Sequence, residues 1–191
     1  MLSNDFGRNQ DEVNLNILRF EKMLENNQNE YFDLVNYEQI IEFYLEENKV
    51  SKALEACNLA LESFPFSLEV TLHKAQILAN YNKLNEALGL LEELQLMYPS
   101  DKDINFLKAN ILMLNENYLE AVEMFIELRP FYSEKEEILM NIGTAYQKLG
   151  NYDLAIPFYQ EAIELNAENQ EIFTELIFCL YITEQLEANM G

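Results

Sequence analysis

Asn141-Ile142-Gly143-Thr144-Ala145-Tyr146, then Gly150-Asn151-Tyr152-Asp153-Leu154-Ala155-Ile156 and Phe158-Tyr159-Gln160-Glu161-Ala162, is the stretch that decides the fold. Two segments of helical apolar spacing flank a glycine, which reads as helix, turn, helix. Working outward, alanine recurs every 34 residues, at Ala53, Ala87, Ala121 and Ala155. A unit of that length is a helix pair too thin to hide its own apolar side, so successive units must stack.

Windows counted from Leu34 give four blocks without insertion: 34–67, 68–101, 102–135 and 136–169. The eighth position reads Ile41, Ala75, Ala109 and Gly143; the eleventh reads Tyr44, Leu78, Leu112 and Tyr146. The twentieth is always alanine. The twenty-fourth is Cys57, Leu91, Phe125 and Tyr159, and the thirty-second is Pro65, Pro99, Ser133 and Ala167. This pattern resembles the tetratricopeptide repeat family, which places a small residue, a large one, alanine, an aromatic and proline at these offsets. The resemblance implies an all-α, right-handed superhelical solenoid of stacked antiparallel helix pairs that binds proteins and catalyses nothing.

The packing logic stands without the family name. Small eighth and twentieth residues let two helix axes approach, and bulky eleventh and twenty-fourth residues fill what is left. Asn48, Asn82 and Gly150 occupy the fifteenth position, and all three tolerate a left-handed backbone at a helix end. Glu116 departs from that rule in the third block. No tryptophan is present, and the fourth position varies as Tyr37, Thr71, Asn105 and Leu139. Lys74 and Lys108 stand at the seventh position, where their stems pack and their amines reach water. Pro130 should end a helix near Leu128. Pro157 is expected near the first turn of its helix, where a missing N–H costs little.

Residues 1–10 lack an apolar run and read as a flexible tail. From Asp11 to about Asn27, Val13, Ile17, Phe20 and Leu24 line one side of a helix, opposite Asn14, Glu21 and Glu25. Phe20, Met23 and Leu24 suggest the second helix of a degenerate leading repeat; residues 11–33 would be a capping helix and its connector. Residues 170–191 read as the first helix of an incomplete fifth repeat or a C-terminal cap. Ile172 to Ile182 is apolar nearly all round, too short to span a bilayer, and in need of cover. Either the chain is a piece of a longer protein or this end pairs with a second copy, through Phe173, Ile177, Leu180 and Tyr181.

Thirty-four acidic against 12 basic residues give a net charge of −22. With no basic stripe, nucleic acid and anionic membranes are poor partners. Basic proteins or peptides are better ones, although most of the acidic excess serves solubility. Cys57 and Cys179 lie far apart, without Cys-x-x-Cys spacing, and read as buried reduced thiols. Residues 1–10 lack the basic start and apolar core of a signal peptide, so a cytoplasmic, reducing location is expected. His73 is the sole histidine, and no metal-ligand spacing, phosphate loop or nucleophile motif occurs. No cofactor, metal or catalytic residue is expected.

The resemblance also implies that the first helices line a concave groove. Its positions carry Glu38, Glu42, Glu46 and Glu69 as an acidic mouth, and Leu72, Phe106, Met113 and Met140 as an apolar strip. Gln76, Asn110, Thr144 and Gln147 complete the expected groove. Lys148 is the one permanent cation at these positions and Asn110 and Asn141 lack a cationic ring, so a clamp for C-terminal carboxylates is a poor fit. An extended or helical segment with apolar anchors and a basic end fits better.

Overall fold

The computed structural model describes residues 3–26, 28–133 and 135–190. Side chains are described from Glu12 onward, save residues 27, 134, 187, 189 and 190. Among the described residues every regular element is an α-helix. The expected all-α class of paired helices is therefore what the structure has. The chain forms two compact units, residues 1–82 and 83–191. Their boundary falls between the two helices of the 68–101 window.

The first unit holds α1 (Ser3–Asn26), α2 (Leu34–Glu46), α3 (Val50–Ser63) and α4 (Leu68–Asn80). Residues 3–10, expected as a flexible tail, form the first turns of α1. No proline interrupts residues 3–26, so the helix continues past its apolar stripe. Helices α2 and α3 pack as a hairpin, α3 packs on α4, and α1 packs on α2. Phe20 of α1 is fully buried, with its ring 5.9 Å from Phe32, 6.4 Å from Tyr37 and 6.1 Å from Tyr44. Tyr37 supplies at the fourth position the bulk that tryptophan would bring. Burying rings like Phe20 and Phe32 stabilises the unit by about 1.5–3 kcal/mol each. Glu21 ties three helices together: Lys52 Nζ donates to it at 2.6 Å and Tyr44 Oη at 3.3 Å. The bond from Lys52, backed by its charge, holds the Glu21 carboxyl below its ordinary pKa against the opposing cost of burial.

The second unit holds α5 (Leu84–Met97), α6 (Lys102–Leu114), α7 (Tyr118–Leu128), α8 (Lys135–Lys148), α9 (Tyr152–Leu165) and α10 (Gln170–Met190). Each helix packs on the next, and α10 also touches α8. The alanines at the twentieth position and the residues at the twenty-fourth are fully buried in both units. The eighth position, Ile41 in the first window, is small in the other three, and at Gly143 there is no room for more: a Cβ there would lie 2.8 Å from Cε1 of Tyr159. Helix α7 stops at Leu128, before Pro130. Pro157 is the sixth residue of α9, deeper than expected. It removes the N–H that would reach the Asp153 carbonyl, at a residue that is itself exposed.

The turns between paired helices are alike. Asn48 (φ 55°), Asn82 (φ 58°), Glu116 (φ 61°) and Gly150 (φ 74°) all have left-handed backbones. Around three of them the N–H beyond the turn reaches back to the eleventh-position carbonyl: Lys49 to Tyr44, Asn117 to Leu112 and Asn151 to Tyr146. This closes the helix end with the six-to-one bond of a Schellman motif. Glu116 thus adopts the geometry of an asparagine or glycine without their tolerance for it. First helices start as regularly. Asp33, Ser67 and Asp101, again at 34-residue steps, and Asn169, two such steps after Asp101, each accept N–H bonds from the first turn that follows.

Candidate protein-binding faces

In the first unit, the caps at Asp33 and Ser67 fix where α2 and α4 begin and so which residues face each other. Glu38 and Glu42 stand one turn apart on α2, and α2 touches α4, which carries Glu69, Leu72, His73 and Gln76. Glu38 is half-buried, and burial is the main reason its pKa lies above the ordinary carboxylate value. Glu69 and then Glu42 push it further up, His73 opposes them, and Asp33 adds a smaller push. These groups therefore share one electrostatic environment. None of Glu38, Glu42 and Glu69 forms a salt bridge among the described residues. Glu46, last in α2, is exposed and outside the set acting on Glu38. Leu72, about one turn beyond Glu69 on α4, is half-buried. Exposed Gln76 donates to Asn80 Oδ1 at 3.3 Å, and the buried Oε1 of Gln39 has no hydrogen-bond partner.

The corresponding positions of the second unit are occupied differently. Phe106, expected on the apolar strip, stacks on Tyr132 at 4.6 Å between centroids and meets Phe125 edge-on at 6.0 Å. Met113 packs against that same core, and Met140 against the core around α9 and α10. Leu72 belongs to the first unit and the other three to the second, so within neither unit do the four form one strip. Asn141 Nδ2 donates to Asn110 Oδ1 at 3.2 Å, joining α8 to α6.

Thr144 and Gln147 lie in a polar network that the sequence reading missed. The fully buried Tyr159 donates to Gln147 Oε1 at 2.6 Å and lies 3.2 Å from Thr144 Oγ1. Gln147 Nε2 donates to Glu175 of α10 at 2.6 Å, and the Cys179 thiol points at Gln147 Oε1 at 3.5 Å. Glu175 was the available signal: it is the sole charged residue between Ile172 and Ile182. A lone carboxylate in an apolar run must find a donor.

Helix α10 turns Ile172 and Cys179 inward and leaves Phe173, Ile177, Leu180 and Tyr181 exposed. Cys57 and Cys179 are both free and buried. Burial pushes the Cys57 thiol up to about 12, and burial with the Glu175 charge pushes Cys179 up to about 11. Two hollows lie each within one unit. One of 560 Å³ in the first unit has Met23, Leu59 and Tyr37 with Glu30, Glu55 and Glu62 around it. One of 590 Å³ in the second mixes Lys102 and Lys108 with Glu120, Glu123 and Glu127. Lys108 Nζ donates to Gln95 Oε1 there at 3.0 Å, so its amine is engaged rather than only solvated. Among the described residues no group of three or more His, Cys, Asp or Glu side chains could hold a metal ion. No described helix is long and apolar enough to cross a membrane.

Residues 136–169, the fourth of the 34-residue windows, match the family model of the tetratricopeptide repeat. The chain therefore contains a tetratricopeptide repeat there. A search of curated proteins gave no match. Among solved structures, MamA residues 41 to the end from Desulfovibrio magneticus RS-1 superposes with a TM-score of 0.72 at 16% identity, covering 80% of this chain and 86% of that one. MamA of MSR-1 gives 0.68 at 17% identity, covering 81% and 88%. MamA of AMB-1 gives 0.66 at 17%, covering 82% and 92%. At such identities the likeness establishes the fold alone.

Proposed function

We propose that this chain is a non-catalytic protein-binding scaffold whose α2–α4 face takes a basic, partly apolar segment of a partner protein. Tetratricopeptide repeats are protein-interaction modules, and the family match supplies the general half of the reading. The observation that carries the specific half is Glu38: a half-buried carboxylate with raised pKa, crowded by Glu69 and Glu42 and held by no salt bridge. Such a group gains most from a lysine or arginine brought from outside. Leu72 and His73 beside it offer apolar contact for the flanking residues. Gln76 and Glu46 extend the face toward the helix ends. The second unit supports this role less well, because Gln147, Thr144 and Phe106 already have partners inside it.

The test is charge reversal. Glu38→Lys with Glu42→Lys should weaken binding to an array of lysine- and leucine-containing peptides at least tenfold, about 1.4 kcal/mol. It should also deplete the proteins captured from lysate by the parent chain. Unchanged affinity across the array would reject the acidic face.

A further inference from the structure

Helix α10 follows the register of the earlier first helices. Counted from Gln170, Phe173, Ile177 and Leu180 take the fourth, eighth and eleventh positions. In the four preceding windows the eighth position is always buried, as at Ile41, Ala75, Ala109 and Gly143. The cover is known in one case directly: Gly143 lies beneath Tyr159 of its own second helix. On α10 the same positions are open, with Phe173 39%, Ile177 64% and Leu180 41% exposed. Isolated exposed leucines need no explanation, but a row at helical spacing on positions elsewhere covered does.

Charge says what can cover it. Glu184 continues the line of Ile177 and Leu180 by one more turn, Glu171 flanks its start, and α10 has no lysine or arginine. Two copies meeting face to face through α10 would bring these carboxylates together on chains that each carry −22. Like-charge contact of that kind costs several kcal/mol. A helix bearing a cation opposite Glu184 and a small residue opposite Ile177 meets both requirements.

We propose that the open face of α10 docks an amphipathic α-helix from another protein, with a lysine or arginine at one end, lying where the second helix of a fifth pair would lie. The reading is independent of the α2–α4 face. The chain itself supplies a probe of the right kind. Residues 49–64 have lysines at positions 49 and 52, and Ala53, Ala56 and Ala60 along the face that α3 buries. A labelled peptide of that sequence, carrying Cys57→Ser, should bind the full chain saturably with one-to-one stoichiometry. Ile177→Asp should weaken it at least tenfold. Glu184→Lys should weaken it severalfold and flatten its salt dependence. Both variants change exposed residues and should melt with the parent in circular dichroism. Tyr181→Ser is a further variant should Ile177→Asp fail to fold, and a severalfold loss is expected. Four outcomes overturn the proposal, three of them read with the peptide. They are absence of saturable binding, equal binding by Ile177→Asp, and loss of binding on Glu38→Lys with Glu42→Lys, which would move the peptide to the other face. A fourth is a concentration-dependent dimer in sedimentation that Ile177→Asp abolishes, which would make a second copy the occupant.

Discussion

The two units use the same helix-pair plan, yet their first-helix faces have opposite characters. In the first, α2 and α4 bring Glu38, Glu42 and Glu69 into one field, which His73 opposes. In the second, side-chain bonds join first helices to their neighbours, Asn141 to Asn110 and Gln147 to Glu175, and Gln147 also to Tyr159 of its own second helix. The eighth, twentieth and twenty-fourth positions are buried in every window, and residues such as Ile40, Ile104 and Ile138 add to the core. The remaining first-helix positions are free to be spent on recognition or on internal cohesion. On these faces one unit leaves Glu38, Glu42 and Glu69 without a salt bridge, and the other satisfies Asn141 and Gln147 internally. Membership in a repeat array therefore does not by itself make a position a ligand contact.

The contrast is broken most forcefully at Gly143. Gly143→Val pushes a branched side chain into the Tyr159 ring, where even a Cβ lies 2.8 Å away. The ring is fully buried and pinned by its hydroxyl, so it cannot step aside without leaving Gln147. Overpacking of this kind should destabilise the second unit by about 3 kcal/mol. Peptide-resolved hydrogen exchange should show protection falling across α8, α9 and α10 while α1 to α4 keep theirs. Equal loss in both units would mean that the two do not open separately.

Gln147→Leu tests internal cohesion more gently. It leaves the Glu175 carboxylate without its amide donor and Tyr159 with Thr144 as its remaining partner, so a loss of about 2 kcal/mol is expected in urea unfolding. A neutral result would show that the bonds are incidental and that Gln147 is free for a ligand after all. The turns differ between units as well. Asn48 and Asn82 suit their left-handed geometry, whereas Glu116 in the second unit does not. Glu116→Gly should raise stability by about 1 kcal/mol, read in the same assay, because a Cβ penalty is removed and the bond from Asn117 to Leu112 is kept. Asn48→Glu in the first unit should lower it by a similar amount.

How far the sequence reached depends on the kind of interaction. Burial repeats with the chain, so alanine every 34 residues and a small eighth residue were legible and suffice for the fold. Turn geometry repeats too, and Glu116 was visible as the odd member of its column. Side-chain partners do not repeat. The twelfth position is Leu45, Ala79, Met113 and Gln147 in turn, and nothing local says that the last will meet Glu175 of a helix 28 positions on. The register of Phe106 fits a groove position. Tyr132, which stacks on it, comes from the turn after Pro130, whose path the periodicity does not specify. Pro157 was misplaced within α9 for a related reason: helix starts set by tertiary packing shift by a few residues against a pattern.

The smallest effect separates open acids from closed ones through protons. Glu38 has a raised folded-state pKa, so the native chain holds this proton more tightly than the unfolded one. Its contribution therefore favours folding as pH falls through the raised value, and is unfavourable once pH is above it. Glu21, lowered by Lys52, has the opposite sign: its contribution is present at neutral pH and lost as pH drops through its folded value. Because both lie in the first unit, the parent's pH curve mixes them, and the informative quantity is the difference from Glu38→Gln. That variant should be slightly more stable than the parent at pH 7 and should lose this advantage as pH falls past the Glu38 titration. A bound cation should pull the same pKa back down, so calorimetry near that pH, repeated in buffers of different ionisation enthalpy, should detect protons released when a basic peptide binds. The release should vanish in Glu38→Gln. Undiminished release would assign the proton to another group and remove Glu38 from the centre of the binding face.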